Sequence, residues 1–305
     1  MYMKQTFVVN NDFVDTRLDR WLRKNNFNLP QSYIEKNIRK GNIKINNKKR
    51  KSSYKLQLRD RIDLYNLNFK VRNIDKVPFI YKPTKKELAF TSNIFVENNN
   101  DFVVINKPAG ISVQSGTKSR KNILDILRDT KEFANSKPYP VHRIDKETSG
   151  LLIVAKNRKY AQLFTTLFRI RKIHKIYLGI VLGGFEKKRG TYTDFLIHYE
   201  GTKKIIDKAI THYQVLDFNK NYSLLKLTPE TGRKHQLRKQ LLIHGHPILG
   251  DSKYRISESI KNKKQILMLH AYKINFSVNK KKYNFLAYPP IEFKKMLNEK
   301  YLKIY

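Results

Sequence analysis

The chain has 305 residues, of which 40% are apolar and 12% aromatic, enough for a packed core and too many for a disordered protein. It carries 63 Lys and Arg against 25 Asp and Glu, a net charge of +38, which predicts a polyanionic partner, nucleic acid first. The absence of cysteine excludes disulfides, a cysteine nucleophile and cysteine-based zinc sites. Part of the lysine excess is assigned to coding bias, because Asn and Ile are also abundant, but that bias does not account for the scarcity of acids.

No apolar run approaches the roughly 18 residues that a membrane span needs. The first ten residues have neither a secretory apolar core nor the composition of an amphipathic presequence. We therefore expect a soluble, cytoplasmic protein.

A first small unit is predicted over residues 13–70. Residues 18–22 place apolar side chains at i, i+3 and i+4, which predicts a helix. A second helix follows Pro30, with Ser32 as its N-cap, Glu35 completing a capping box and Gly41 at its end.

Short strands are predicted after the second helix. Ile43 and Ile45 alternate with Lys44, and the Asn-Asn pair that follows predicts a turn. The apolar residues between positions 56 and 64 indicate two more short strands around the turn at residues 59–60. The unit is therefore a small α/β domain.

These pieces resemble the alpha-L RNA-binding domain, first known from a small-subunit ribosomal protein. The matching segments are RLDRWL at 17–22, IRKGNIKIN at 38–46 and DRI at 60–62. The resemblance implies an RNA-binding unit in which Arg39 and Lys40 contact RNA, beside Lys44 and the basic run at residues 48–51. Such a patch binds phosphates without distinguishing bases. The alternative is a solvated basic surface.

Residues 71–92 are predicted to be a linker, and residues 93–305 a second domain. Strands are predicted at 102–105, 151–155, 175–181 and 222–227, and helices at 160–169 and 234–243. The strand at 151–155 is uniformly apolar, which predicts burial on both faces. Strands and helices without regular βαβ alternation predict an α+β fold around a largely antiparallel, mixed sheet.

Three polar islands interrupt the apolar pattern of this second domain. They are residues 106–111 (NKPAGI), 142–150 (HRIDKETSG) and 231–238 (TGRKHQLR), the last continuing to HGHPILGD at 244–251. Half-buried polar clusters are unfavourable unless they are paired or functional. The central island precedes the buried strand, so its turn is expected to present Asp145 at the mouth of the sheet.

Together the three islands resemble the ribosomal large-subunit type of pseudouridine synthase. Members of that family carry K-P-x-G, H-R-L-D-x-x-T-S-G-L-L and T-G-R-x-H-Q-I-R segments in this order. The resemblance covers about residues 93–290 and implies the pseudouridine synthase fold. It also implies the isomerisation of uridine to pseudouridine in RNA, with neither a metal nor an organic cofactor.

The resemblance assigns three catalytic residues by position. Asp145 corresponds to the aspartate that is thought to attack the target nucleotide, after which the freed uracil rotates and rejoins through carbon. Arg238 corresponds to its basic partner, which would keep the carboxylate ionised and hold its rotamer. Tyr177 corresponds to the tyrosine that is expected to stack on the uracil and help to move a proton.

The resemblance also assigns residues that contact RNA. Arg143 is expected to help flip the target uridine and fill its place, since a stacked nucleotide is shielded from attack. Arg233 and His235 are expected to meet the RNA backbone. The sequence departs from the family pattern at Lys239 and Gln240, where many members have Val-His after the Arg. That departure affects the helix surface and leaves the catalytic set intact.

The islands allow other interpretations. Asp145 could cap the turn at Thr148, although the other two islands favour a catalytic role. A kinase catalytic loop is excluded because its Asp would directly follow the Arg. His244 and His246 with Asp251 could hold a metal, but no HExxH helix or cysteine supports this. A turn packed beside the sheet is favoured there, and no metal site is predicted.

The alternative function, from a different class of protein, is that of a non-catalytic RNA-binding or ribosome-assembly factor. The small basic domain and the charge fit both possibilities, but a pure binder would not need Asp145, Tyr177 and Arg238 together. Large-subunit (23S) ribosomal RNA is the favoured substrate, because the small domain adds a second contact with a large folded RNA. Transfer RNA stays an alternative, and a monomer is expected.

Overall fold

The computed structural model describes residues 4–10, 13–23, 25, 30–65, 81–91, 93–115, 121–200, 203–256 and 266–304. They belong to two compact units, Met1–Phe79 and Ile80–Tyr305. Within the described ranges, no helix is long and apolar enough to cross a membrane.

The first unit packs two short helices on a three-stranded antiparallel sheet. Its helices are α1 (Leu18–Leu22) and α2 (Gln31–Lys40), and its strands are β1 (Lys4–Val8), β2 (Ile43–Ile45) and β3 (Arg61–Tyr65). The strand order is β1-β3-β2. Its apolar core contains Val9, Leu18, Trp21, Leu22, Ile34, Ile38, Ile43, Ile45, Leu56, Ile62 and Leu64. The amphipathic periods of the two helices thus face a single core.

Both helices of this unit are confirmed, and α2 ends at Gly41, which adopts a left-handed conformation with φ of +79°. The predicted capping box is wrong. The helix begins at Gln31 directly after Pro30, whose fixed φ suits a helix start, so Ser32 already lies inside the first turn. The carboxylate of Glu35 instead accepts a hydrogen bond of 3.0 Å from the side-chain amide of Gln31.

The strands of the first unit differ from the prediction at two places. β1 lies before residue 13, where the unit is predicted to start. The sequence does not predict this strand because it is mostly exposed and shows no inward alternation. Of the two strands predicted between residues 56 and 64, only β3 forms. The segment before it is a turn, in which the Asp60 carboxylate accepts the backbone N–H of Gln57 at 2.8 Å.

The second unit is built on one large sheet. Its strands are β4 (Phe95–Asn98), β5 (Phe102–Lys107), β6 (Tyr139–Pro140), β7 (Ser149–Ala155), β8 (His174–Leu182), β9 (Arg189–Glu200), β10 (Lys203–Phe218), β11 (Tyr222–Pro229), β12 (Leu269–Val278) and β13 (Lys281–Leu286). Its helices are α3 (Lys85–Thr91), α4 (Ile123–Arg128), α5 (Arg158–Arg169), α6 (Gln236–Ile243) and α7 (Ile291–Glu299). The strand order is β4-β5-β7-β12-β8-β11-β10-β9, with β13 beside β12 and β6 beside β7.

The sheet is mixed and largely antiparallel, as the sequence predicts, with β7 and β12 as a parallel pair. All seven residues of β7 are buried, which confirms the prediction for this uniformly apolar strand. It lies between β5 and β12, near the middle of the sheet. The segments at 102–105, 160–169, 175–181, 222–227 and 234–243 also form the elements predicted for them, within a few residues.

Several elements lie where the sequence pattern predicts none. Helix α3 occupies residues 85–91 of the predicted linker and packs its Leu88 against the core of the second unit. Residues 71–80 and 92 of that linker lie outside the described residues. The long β9–β10 hairpin and the C-terminal β12, β13 and α7 are likewise unpredicted.

A buried polar pair joins the parallel strands β7 and β12. The hydroxyl of Ser149 lies 2.9 Å from Nδ1 of His270, and Nε2 of that ring lies 2.8 Å from the carbonyl of Ala287. The carbonyl can only accept, so Nε2 carries the proton and Nδ1 accepts from the serine. Burial lowers the pKa of His270 to about 4, and the hydrogen bond to Ala287 opposes this only partly.

We expect this histidine to make the fold sensitive to acid. The unfolded chain takes up a proton near the ordinary histidine pKa of about 6.5, whereas the folded ring takes one up only near 4, so stability is full above 6.5 and falls as the pH drops toward 4. Between pH 7 and pH 5 this one group should remove about 2 kcal/mol from the free energy of unfolding. Urea denaturation of the parent and of His270→Gln at both pH values measures the difference, which should be smaller in the variant by that amount. An equal pH dependence in the two proteins would contradict the assignment.

Candidate active site

The turn that carries Asp145 is held by the end of a neighbouring strand. The carbonyl of Asp145 accepts the N–H of Thr148 at 3.1 Å, which closes the turn. The carbonyl of Lys146 accepts the N–H of Gly110 at 2.8 Å and is also 3.3 Å from Nζ of Lys107. The first and second sequence islands therefore meet, and the side chain of Asp145 is left to face other groups.

Lys107 lies fully buried behind this turn. Its ammonium group donates to the carbonyls of Pro108 at 2.8 Å and Ile111 at 2.9 Å, in addition to that of Lys146. Burial lowers the pKa of Lys107 to about 7, and the negative charges of Glu147 and Asp145 oppose that shift. Sequence reasoning assigned no role to Lys107, although a lysine at the end of a largely apolar strand was an available signal.

Two further contacts fix the approach to the turn and its exit. Nε2 of His142 accepts the N–H of Ile153 at 2.8 Å, and the imidazole stacks on Phe168 with ring centroids 4.4 Å apart. Burial lowers the pKa of His142 to about 3, so the ring is neutral at physiological pH.

After the turn, Gly150 has a φ of +111°, and a Cβ there would lie 2.3 Å from the carbonyl oxygen of Ala271. Only glycine allows the parallel strands to approach this closely.

The carboxylate of Asp145 faces two basic side chains from the third island. Nη1 of Arg238 is 3.5 Å from one carboxylate oxygen, and Nε2 of His235 is 3.8 Å from the other. Glu147 also approaches Nη1 of Arg238, at 3.5 Å, from the exposed side. The alternative that Asp145 caps its own turn is not favoured, because its carboxylate points at these cations.

Arg238 makes its tighter ion pair with another carboxylate. Its Nε and Nη2 donate to the two oxygens of Asp251 at 2.7 and 2.8 Å, a buried bidentate pair. Burial alone would raise the pKa of Asp251, but the bonds from Arg238 and from the N–H groups of Tyr254 and Lys253 hold that pKa below its usual value. The predicted contact with Asp145 exists, and the partner that orients the guanidinium is Asp251.

Tyr254 closes a ring of contacts around the site. Its hydroxyl is 2.9 Å from Nδ1 of His235, its aromatic ring lies 5.1 Å from the Arg238 guanidinium, and its N–H donates to Asp251 at 2.9 Å. A hydroxyl that donates to Nδ1 leaves the proton of a neutral imidazole on Nε2, the nitrogen that faces Asp145. Burial lowers the pKa of His235, and the charge of Asp145 opposes the shift. Sequence reasoning missed Tyr254.

Tyr177 lies on β8 with Lys175, and the alternation of the strand directs both side chains to one face. Burial and the nearby charge of Asp145 raise the pKa of Tyr177, so its phenol stays protonated at neutral pH. Burial lowers the pKa of Lys175, whose amine lies 4.0 Å from the position of a Cβ on Gly232. The structure thus brings Tyr177 within electrostatic range of Asp145, and adds a half-buried lysine to which the sequence assigned no role.

The predicted RNA-contacting residues lie in separate places. Arg143 is exposed just before Asp145. Arg233 is exposed and bound to β10, with Nη1 3.2 Å from the Asp207 carboxylate and Nε donating to the carbonyl of Lys208 at 3.2 Å. Of the three RNA contacts predicted in the second unit, only His235 is found against the Asp145 carboxylate in the described residues.

Arg39 and Lys40 belong to the first unit, at the exposed last turn of α2. The side chain of Lys49 lies against Gly41, where a Cβ would come 2.4 Å from its Cε. The turn after β2 therefore returns part of the basic run to the end of α2. Three cations share this end of the helix, an arrangement that suits a phosphate backbone.

Helix α6 is attached to the β9–β10 hairpin by the two residues that depart from the family pattern. Gln240 is fully buried, donates to the Asp194 carboxylate at 2.7 Å and accepts from the Thr211 hydroxyl at 2.6 Å. Nζ of Lys239 donates to the carbonyl of Ile197 at 3.1 Å. Both replacements thus make specific contacts with the hairpin, and the helix surface that the departure put in question is ordered.

The three residues of the possible metal site point to different partners. His244 stacks on Tyr192 with ring centroids 4.0 Å apart, and His246 stacks on Phe185 at 3.9 Å. Asp251 is committed to Arg238. The structure therefore supports the interpretation of a turn packed beside the sheet.

Comparison with known proteins gives the class of this molecule. Residues 101–242 match the family model described as RNA pseudouridylate synthase, and residues 16–62 match that of the S4 domain, another name for the alpha-L fold. A solved human structure, RNA Pseudouridylate Synthase Domain Containing 4, is 25% identical with a TM-score of 0.61, and the match covers 71% of this chain and 96% of that one.

Full-length relatives are closer in sequence. The Ribosomal large subunit pseudouridine synthase C of Buchnera aphidicola subsp. Baizongia pistaciae is 34% identical, over 91% of this chain and 90% of the relative. The protein of the same name from Rickettsia conorii is 33% identical, over 87% and 90%. The chain belongs to the RNA pseudouridylate synthase family, isomerases that convert uridine in RNA to pseudouridine, and it carries an N-terminal S4 domain.

We expect Tyr254→Phe to slow the reaction without unfolding the site. The variant loses the hydroxyl at His235 but keeps the ring against Arg238, so kcat should fall about fivefold, the effect of one hydrogen bond of about 1 kcal/mol. KM should stay within twofold, and the pH–rate profile should shift because the imidazole loses its partner. Tyr222→Phe is the matched control and should behave like the parent. A Tyr254→Phe enzyme with the kcat and pH profile of the parent would refute the role.

Proposed function

We propose that this enzyme converts uridines of large-subunit ribosomal RNA to pseudouridine, with Asp145 as its nucleophile. The observation that carries the proposal is the position of the Asp145 carboxylate between Arg238 and His235, on a turn that the backbone holds from both sides. A carboxylate beside two basic groups and free of a tight bidentate pair is available to attack.

The reaction is an isomerisation, so its atoms balance within the nucleotide. The bond between N1 of the uracil and C1′ of the ribose breaks, the uracil turns, and a bond forms between C5 and C1′. The proton on C5 is lost and N1 gains one, which requires neither an oxidant nor a cofactor. Arg238 stabilises the negative carboxylate before and after attack, since the ion pair with Asp251 holds its guanidinium in place.

Tyr177 and Arg143 act on the target nucleotide in this proposal. A stacked nucleotide must leave the helix before its glycosidic bond can be reached. Arg143 is exposed beside the nucleophile, where it can fill the space that the flipped uridine vacates. Tyr177 enters the reaction as a neutral phenol, whose ring can stack on the freed uracil and whose hydroxyl can exchange a proton with it.

The choice of RNA rests on two supports. Relatives that match about nine-tenths of their length are named for the ribosomal large subunit. The S4 domain supplies a second, base-independent contact through Arg39, Lys40 and the neighbouring lysines, which favours a large folded RNA. Arg233 is proposed to contact the RNA backbone, and His235 to serve both the RNA and Asp145. We expect a monomer that works in the cytoplasm, and transfer RNA is the second candidate substrate.

Asp145→Asn should abolish pseudouridine formation. The amide keeps the shape of the side chain but is neither charged nor nucleophilic, whereas the RNA-binding surfaces are unchanged, so affinity should stay within threefold of the parent. Chemical mapping of pseudouridines after incubation with unmodified large-subunit ribosomal RNA measures the first effect, and a filter-binding titration measures the second. Pseudouridine formed by the variant at the parent rate would disprove the nucleophile. If the parent modifies only transfer RNA, the proposed ribosomal substrate is wrong and transfer RNA is the substrate.

Arg39→Gln with Lys40→Gln should weaken RNA binding and reduce its dependence on salt. Each lost phosphate contact lowers the slope of log affinity against log salt by about 0.7 to 0.9, so the pair should lower it by about 1.5. Lys280→Gln with Lys281→Gln removes the same net charge from two exposed residues at the β12–β13 connection of the other unit and serves as the control. Equal slopes for the parent and the α2 variant would exclude a phosphate-binding role for this helix end.

A further inference from the structure

The β9–β10 hairpin extends beyond the rest of the sheet. β10 pairs with β11 only from Thr211 onward, whereas its pairing with β9 begins at Lys203. Residues 193–200 and 203–210 therefore form a two-stranded ribbon with no third strand in the described residues. A ribbon of this kind has two faces that can make different contacts.

The outer face of the ribbon is apolar and exposed. The exposed fractions are 68% for Phe195, 45% for Ile197, 67% for Tyr199 and 56% for Ile206. The first three alternate along β9 with the buried Leu196 and with inward-facing polar residues, so they lie on one face. Large contiguous apolar patches are rare on the surfaces of soluble monomers, and they mark interaction surfaces.

The cross-strand register pairs this apolar face with lysines. Phe195 lies opposite Lys208 and Tyr199 opposite Lys204, and both lysines are exposed. Ile197 lies opposite Ile206 between them. Two aromatic–lysine pairs therefore stand at the ends of an isoleucine pair, about 13 Å apart along the strand.

This pattern suits single-stranded RNA. An aromatic ring can stack on an unpaired base of any sequence, and a neighbouring lysine can bind its phosphate. A second copy of this chain fits less well, because it would bring the lysines of two ribbons together in a protein of net charge +38.

The inner face connects the ribbon to the active site. Arg233 binds the carboxylate of Asp207 and the carbonyl of Lys208, and Lys239 on α6 binds the carbonyl of Ile197. Helix α6 carries Arg238, which faces Asp145. A nucleotide chain on the outer face would thus lie on an element that is bound directly to the helix of the catalytic arginine.

We propose that the outer face of this ribbon binds the single-stranded RNA that flanks the target uridine, with Phe195 and Tyr199 stacking on bases and Lys204 and Lys208 binding phosphates. The inference rests on the proposed function, because it takes the RNA substrate of that site as the occupant. It adds a binding surface outside the motifs that define the family resemblance, and a role for a hairpin that no sequence motif marks.

The test separates stacking from charge. Phe195→Thr with Tyr199→Thr keeps residues that favour strands, and should weaken binding of the full-length protein to unmodified large-subunit ribosomal RNA about tenfold at an unchanged salt slope. Lys204→Gln with Lys208→Gln should instead lower that slope by about 1.5. Tyr288→Thr, at an aromatic residue that is 71% exposed, is the matched control and should bind like the parent.

Two results would overturn the proposal. One is an aromatic double variant that binds RNA as the parent does, with its circular dichroism unchanged. The other is a parent that sediments as a dimer and becomes a monomer in that variant, which would assign the face to a second copy. The binding titration does not depend on catalysis. A parent that forms no pseudouridine would therefore refute the proposed function while the ribbon is still judged on affinity.

Discussion

Arg238 carries a buried positive charge that three carboxylates share. A buried cation is strongly destabilising unless it is paired, and Asp251 satisfies that need by binding Nε and Nη2. Because the guanidinium is planar, fixing two of its nitrogens also fixes the direction of the third. Nη1 therefore faces Asp145 and Glu147, each at 3.5 Å. The tight ion pair with Asp251 fixes the guanidinium, whereas its contact with the Asp145 carboxylate is longer.

The turn of Asp145 is likewise held by paired polar groups, and here the paired groups are mostly backbone atoms. Lys107 and Gly110 bind the carbonyl of Lys146, and His142 binds the backbone of β7, so these peptide groups near Asp145 have partners. Buried polar groups that are fully paired rigidify a site, whereas unpaired ones would be costly. The side chain of Asp145 is thereby presented by a framework that does not depend on its own hydrogen bonds.

Helix α6 joins the candidate active site to the β9–β10 ribbon. One side of the helix gives Arg238 to the active site, while Lys239 and Gln240 bind β9. The departure of these two residues from the family pattern has a physical explanation, because a buried glutamine can donate to Asp194 and accept from Thr211 at once. Lys239 and Gln240 thus bind the hairpin, while Arg238 on the same helix faces Asp145.

The sequence by itself determined the local features, namely the amphipathic helices and the buried strand β7, and its motifs selected Asp145, Tyr177 and Arg238 as candidate site residues. Each depends on residue order and short-range period, which a sequence displays directly. Only the tertiary structure decided that Asp251 orients Arg238, that Tyr254 holds His235, and that the unpredicted hairpin carries an exposed aromatic face. Such contacts join segments that lie far apart along the chain or in irregular loops. They depend on strand pairing and packing geometry, about which the period of a single segment carries no information.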